Sequence, residues 1–200
     1  MRYFKQSLLL LLSLLISWPC FSRDVTKVGT TAAPFLTIGV GARPLAMGGA
    51  FVSVANDASA MFWNVSGISK VRGPEIIFNH SDWLADINFD YVGIVAPLSN
   101  FGTIGVNITS LSMDDFEQTT EMQPEGTGVR FSVGSMAIGL SYARQLTDKF
   151  TIGFTGKYVR EHIWNTSATG FALDIGTLFT TPFNGLRIGM SISNFGTKLQ

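Results

Sequence analysis

From residue 75 onward the chain alternates with period two, and one face of that alternation is almost free of charge. Thr103-Ile104-Gly105-Val106-Asn107-Ile108-Thr109 is the clearest stretch, and Ala137 to Arg144 repeats it. Phe150, Ile152, Phe154 and Tyr158 fall on one face, with Thr151, Gly153, Thr155 and Lys157 on the other. Phe171, Leu173, Ile175 and Phe179 oppose Ala172, Asp174 and Gly176. Leu186, Ile188, Met190 and Ile192 oppose Arg187, Gly189, Ser191 and Ser193. Weaker versions at Glu75–Asn79 and Asn88–Pro97 bring the predicted strands to seven. Successive side chains of a strand point to opposite faces, so each segment has an apolar and a polar side.

Alternation alone does not say which side points inward. A soluble barrel or sandwich buries the apolar side, whereas a transmembrane barrel turns it to lipid and keeps a polar lumen. Here the polar side is Gly, Ser, Thr, Ala and Asn rather than the Lys and Glu of a solvated surface, and charged residues are only 14% of the chain. The links between strands point the same way. Ser99-Asn100, Thr147-Asp148-Lys149 and Pro182-Phe183-Asn184 read as short turns; His80–Ile87, Met113–Gly128 and Glu161–Ala168 read as longer polar loops. Bacterial outer-membrane barrels alternate short periplasmic turns with long external loops, and their strands span in roughly 9–11 residues. The expected fold is all-β: a transmembrane antiparallel β-barrel. Seven is odd where bacterial single-chain barrels have even numbers, and an unclosed barrel leaves two sheet edges unpaired, which hydrocarbon does not tolerate. The strands at residues 74–200 are therefore expected to be the first half of a longer barrel.

The N-terminus supports export. Arg2 and Lys5 precede the apolar run Leu8 to Ile16, which Trp18 and Pro19 close. This is the pattern of a secretory signal peptide over residues 1–22, too short for a spanning helix. Cys20, the sole cysteine, raises a lipoprotein alternative, but Trp18 and Pro19 are not the small neighbours that lipidation needs. Zero net charge gives no reason to expect a nucleic-acid partner.

Residues 23–73 do not alternate. Gly41 to Phe51 is too glycine-rich for a good helix, and Pro44 bars a regular strand. Asn56-Asp57 is a candidate cap for a short helix over Ala58 to Trp63, ending near Asn64 and Gly67. The block carries Phe35, Leu36, Phe51, Met61, Phe62 and Trp63, so it needs burial, and its expected place is the lumen, as a plug.

The stretch GARPLAMGGAFVSVANDASAMFWNVSGIS, Gly41 to Ser69, resembles the opening signature of the PorV/PorQ family within the FadL-like outer-membrane barrels. Gly41-Ala42-Arg43, Met47-Gly48-Gly49-Ala50-Phe51, Asn56-Asp57-Ala58-Ser59 and Trp63-Asn64 match, whereas Val65-Ser66 stand where the family usually has Pro-Ala. The resemblance implies a barrel of about 14 strands with an N-terminal plug, and no enzymatic activity. It implies an outer-membrane location among lipid and lipopolysaccharide, and a role in type IX secretion, binding the C-terminal signal domains of cargo. The alternative it leaves is passive transport of hydrophobic small molecules, as FadL-like members do. Gly41, Arg43, Met47, Gly48, Gly49, Asn56, Asp57, Trp63 and Asn64 are the plug residues it singles out.

Other chemistry is sparse. His80 and His162 lie at predicted loop ends, and Asp82, Asp86, Asp90, Asp114, Asp115, Glu117 and Glu121 make the first loops acidic. Calcium or lipopolysaccharide counterions are one reading; solvated loops are the ordinary one. No Gly-x-Ser-x-Gly nucleophile motif and no dinucleotide fingerprint occurs, so no cofactor or metal is expected. Asn-x-Ser/Thr sequons at Asn64, Asn107 and Asn165 are chance matches. Trp83 and Trp164 fit an external aromatic girdle. Arg43 must be paired or solvated within a barrel, and Asp57 or Asp174 is the expected partner.

Overall fold

The computed structural model describes residues 32–200; the predicted signal peptide with Cys20 lies outside them. The strands are β1 (Glu75–Asp82), β2 (Ile87–Pro97), β3 (Thr103–Met113), β4 (Phe116–Glu117), β5 (Arg130–Phe131), β6 (Val133–Thr147), β7 (Phe150–Ile163), β8 (Thr166–Thr180) and β9 (Arg187–Gly196). Seven of them form one antiparallel sheet in the order β1-β2-β3-β6-β7-β8-β9. Each expected strand is present. The two-residue strands β4 and β5 pair with each other inside the β3–β6 link.

The sheet is inverted relative to a soluble sheet. Along β3, Thr103, Asn107 and Thr109 are buried, while Ile104, Val106 and Ile108 are exposed. In β6 the buried residues are Ala137, Gly139, Ser141 and Ala143, and Met136, Ile138, Leu140 and Tyr142 are exposed. Thr151 and Thr155 of β7 are buried, and Phe154 and Tyr158 face out. The strand β2 departs from the rule, because Phe89, Tyr91 and Val95 line the inner face while Val92 and Ile94 stand on the outer one. Both its faces are apolar because its inner face meets the apolar side of the N-terminal segment.

One expected contrast does not hold. The Glu161–Ala168 link is not a long loop: β7 and β8 pair as far as Ile163 and Thr166, and Trp164-Asn165 alone turn the chain. The polar residues there extend the hairpin, since period-two pairing propagates once the register is set. Trp164 sits at φ 54 to close this turn. The first link is also short, a 3-10 turn over Leu84–Asp86. Only the β3–β6 link keeps the expected length.

The segment from Ala32 to Pro74 covers the inner face. Phe51, Ala55, Ala58, Ala60, Met61, Val65, Ile68 and Val71 form its core together with Val95 and Ala143 of the sheet. Val40, Phe89 and Tyr91 form a second cluster, and Phe35 and Leu36 a third with Ala137 and Val159. The glycines of the inner face explain how closely this segment approaches. Gly153 and Gly176 are register partners on β7 and β8. A Cβ on Gly153 would stand 2.8 Å from the Ser66 amide nitrogen, and one on Gly176 would overlap the Asn64 side chain. Gly156 faces the other way, with nothing within 4 Å of its Cβ position.

This contrast gives a paired test. Gly176→Val should lower stability by about 3 kcal/mol, the upper range for overpacking, whereas Gly156→Val should leave it within about 0.5 kcal/mol. Thermal unfolding of the purified protein in detergent measures both.

Candidate functional site

The glycine-rich stretch closes a helix. Ala42–Ala46 forms a single helical turn, against the expectation of a segment unfit for helix. Pro44 is tolerated because first-turn N–H groups have no intrahelical acceptor in any case. The turn ends at Met47, which is half-exposed, and Gly48 and Gly49 follow at φ 63 and 79. The Gly49 N–H donates to Pro44 O at 2.9 Å and the Gly48 N–H to Leu45 O at 3.0 Å. These two bonds make a Schellman motif, in which a left-handed residue caps the last carbonyls. Both glycines are therefore required by backbone conformation.

The chain then turns through Phe51 to Ala55 and reaches Asn56-Asp57. The second helix is Ala60–Trp63, two residues shorter than expected. Asp57 holds its approach: one carboxylate oxygen accepts from the Ser59 amide at 2.9 Å and from its hydroxyl at 2.5 Å. Arg43 crosses back to this loop. Its guanidinium donates to Asn56 Oδ1 at 2.7 Å and to Asp57 Oδ2 at 3.2 Å, and lies 5.0 Å over the Phe51 ring. Of the two expected partners, Asp57 is the one it meets, and these contacts lie within the segment. The pair is half-exposed and stabilises by under about 1 kcal/mol.

Four hydrogen bonds tie the segment to the sheet, one of them a long contact in which Asn194 Nδ2 of β9 donates to Leu36 O at 3.5 Å. The Gly41 amide donates to Asn79 of β1 at 3.1 Å, and the Ala58 amide to Glu75 of β1 at 3.0 Å. On the far side Asn64, fully buried, donates to Thr177 O of β8 at 3.0 Å. The same amide nitrogen donates to Val52 O at 2.7 Å, and Oδ1 accepts from the Ser66 amide and hydroxyl. Asn64 also starts the 3-10 helix Val65–Lys70, so Val65-Ser66 are accommodated by turning directly after it. Trp63 packs over Gly49 and Gly39, and its indole N–H donates to Val40 O at 2.8 Å.

A second polar cluster lies on the inner face beside Leu36 of the segment. Lys157 of β7 and Asp174 of β8 form a buried ion pair at 2.6 Å. Lys157 also donates to Asn194 Oδ1, and the Asn194 amide donates to Asp174 Oδ1, each at 2.8 Å. Asn194 sits at φ 59, where the register between β8 and β9 shifts at Leu173/Ile175. The ion pair thus holds a bulge that turns Asn194 inward. Ser141 and Thr155, also buried, share a hydrogen bond at 2.8 Å nearby.

Sequence reasoning did not single out Asn79, Glu75, Lys157 or Asn194, and it named Asp174 only as a candidate partner of Arg43. The signal existed: Lys157 and Asp174 are opposite charges on inner faces that otherwise carry small neutral residues. His80 lies on the outer face of β1, 2.8 Å from Asp90 of β2 and 3.4 Å from Asp82. Among the described residues no group of three or more His, Cys, Asp or Glu side chains is placed to hold a metal.

Two predictions separate these contacts. Asn64→Ala strands the Val52 and Thr177 carbonyls and should cost about 3 kcal/mol, with amides of residues 52–66 losing exchange protection, while Arg43→Ala costs about 1 kcal/mol or less. Lys157→Met leaves a buried carboxylate and should cost about 3 kcal/mol. Adding Asp174→Leu should restore only part of that, because the Asn194 amide then lacks its acceptor; denaturant titration of the single and double variants measures the difference.

No curated protein matches the chain. The sequence profile of the family described as type IX secretion system protein PorV matches residues 21–200. That span takes in the packed segment and every strand of the sheet. The chain belongs to the PorV family and is an outer-membrane component associated with type IX secretion.

Proposed function

We propose that the sheet is part of the wall of a FadL-like outer-membrane β-barrel of about 14 strands, that residues 23–73 are its plug, and that the protein binds the C-terminal signal domains of secreted cargo. The observation that carries the membrane part is the inverted sheet: Ile104, Val106, Ile108, Leu140, Phe154 and Ile188 are exposed on the outer face, while Thr, Ser, Gly and Asn meet the plug. Exposing that apolar area to water is unfavourable by about 25 cal/mol per Å², and exposing it to acyl chains and the apolar part of lipopolysaccharide removes the cost. Trp83 and Trp164, both half-exposed at the same end of the sheet, suit the interface between hydrocarbon and head groups.

The family match supports secretion rather than transport of hydrophobic solutes. The packing agrees with a filled lumen: Phe51, Met61, Val65 and Ile68 occupy the inner face where a conduit would run. A held plug suits a protein that presents a docking surface better than one that opens a passage.

The test has two arms. Deleting the gene should leave cargo unattached at the cell surface, with restoration by the intact protein. Purified protein in detergent should retain an immobilised cargo C-terminal signal domain. Normal attachment in the deletion strain, or no retention, overturns the cargo reading.

A further inference from the structure

One end of the inner face carries positive charge that no described carboxylate pairs with. A cleft of about 740 Å³ is lined there by Asn56, Lys70, Arg72, Glu75, Gln145 and Arg187. Its floor is the stretch from Ser69 to Pro74, where the segment leaves the 3-10 helix for β1. Its walls come from the first residue of β1, the first of β9 and the end of β6. Glu75, Gln145 and Arg187 share the inward parity of Ile77, Ala143 and Gly189, so the cleft opens on the inner side. Three cations face a single carboxylate, and the Ala58 amide already donates to that carboxylate at 3.0 Å. Among the described residues Lys70, Arg72 and Arg187 make no ion pair. Burial, and secondarily the Arg187 charge, hold the Lys70 ammonium below its ordinary pKa. Like charges in a partly enclosed cleft raise the local potential and attract an anion.

We propose that this cleft receives the carboxylates of an acidic peptide segment from a partner protein on the side of the short turns. The inward opening favours peptide over lipid, because head groups lie around the outer rim of the sheet. Guanidinium groups grip carboxylates in a fork, and Gln145 and Asn56 offer neutral donors beside them. This site rests on the barrel reading but not on cargo binding, and the assay is independent of surface attachment.

The probe is a fluorescein-labelled hexaglutamate peptide, titrated at low ionic strength against the full chain in neutral-lipid nanodiscs and followed by anisotropy. Saturable binding that salt weakens is expected, and Arg187→Gln, Arg72→Gln and Lys70→Gln should each reduce affinity about threefold to fivefold, the reach of an exposed ion pair. Arg144→Gln, on the outer face, and Lys149→Gln, in the β6–β7 turn, should leave it unchanged. Bound peptide should also raise the Lys70 ammonium pKa, read from its side-chain NMR signal with thermal unfolding as the folding control. Equal losses from all five substitutions, an unmoved Lys70 signal, or displacement of the peptide by phosphatidylglycerol in the discs would overturn the proposal.

Discussion

Asn64 engages every hydrogen-bonding position of its amide on four partners: Val52 O, Thr177 O, the Ser66 amide and the Ser66 hydroxyl. Its place between a non-repetitive segment and a strand sets a severe condition on the sheet. A backbone lying that close leaves no room for side chains beneath it, so Gly153 and Gly176 are bare. The inner face must then be small, and the apolar residues that give strands their cohesion are displaced to the outer face. Outward-facing Ile and Phe are thus tied to the segment packed on the inner face. A change on either side of this contact propagates to the other through packing that has no slack.

The segment meets its own requirement by the same economy of partners. Irregular backbone placed against a sheet exposes N–H and C=O groups that no ladder satisfies. The Schellman bonds of Gly48 and Gly49, the Asp57 carboxylate on Ser59, and Asn79 and Glu75 on Gly41 and Ala58 answer these groups one by one. Arg43 adds little energy at its half-exposed site. Its contribution is geometric, joining the first helical turn to the Asn56-Asp57 loop and covering Phe51.

Much of this was legible in the sequence because period-two alternation survives without long-range information. The seven strands and their two faces followed from Thr103 to Thr109 and its repeats, and Trp63-Asn64 and Gly48-Gly49 stood out as unlike any strand. What was hidden depends on partners distant in the chain. Arg43 had two carboxylates to choose from, and sequence could not say that Lys157 already occupied Asp174. The polar residues from Glu161 to Ala168 looked like a loop because polarity marks solvent as readily as it marks turns; only the register of β7 against β8 shows a hairpin closed by two residues. The helical turn at Ala42–Ala46 was masked by the glycines around it, which stand at its ends rather than inside it.

The two polar clusters differ in what they permit. Lys157 and Asp174 are buried and held by each other and by half-buried Asn194, so together they fix the β8–β9 bulge. Lys70, Arg72 and Arg187 line an open cleft, where solvent meets their hydrogen-bonding needs and their charge stays available. Satisfied polarity holds the structure, and uncompensated polarity at its edge is where another molecule gains by arriving. A segment anchored at Asn64 on one side and at Asn79 and Glu75 on the other presents that edge as a fixed surface, so recognition there needs no rearrangement of the core.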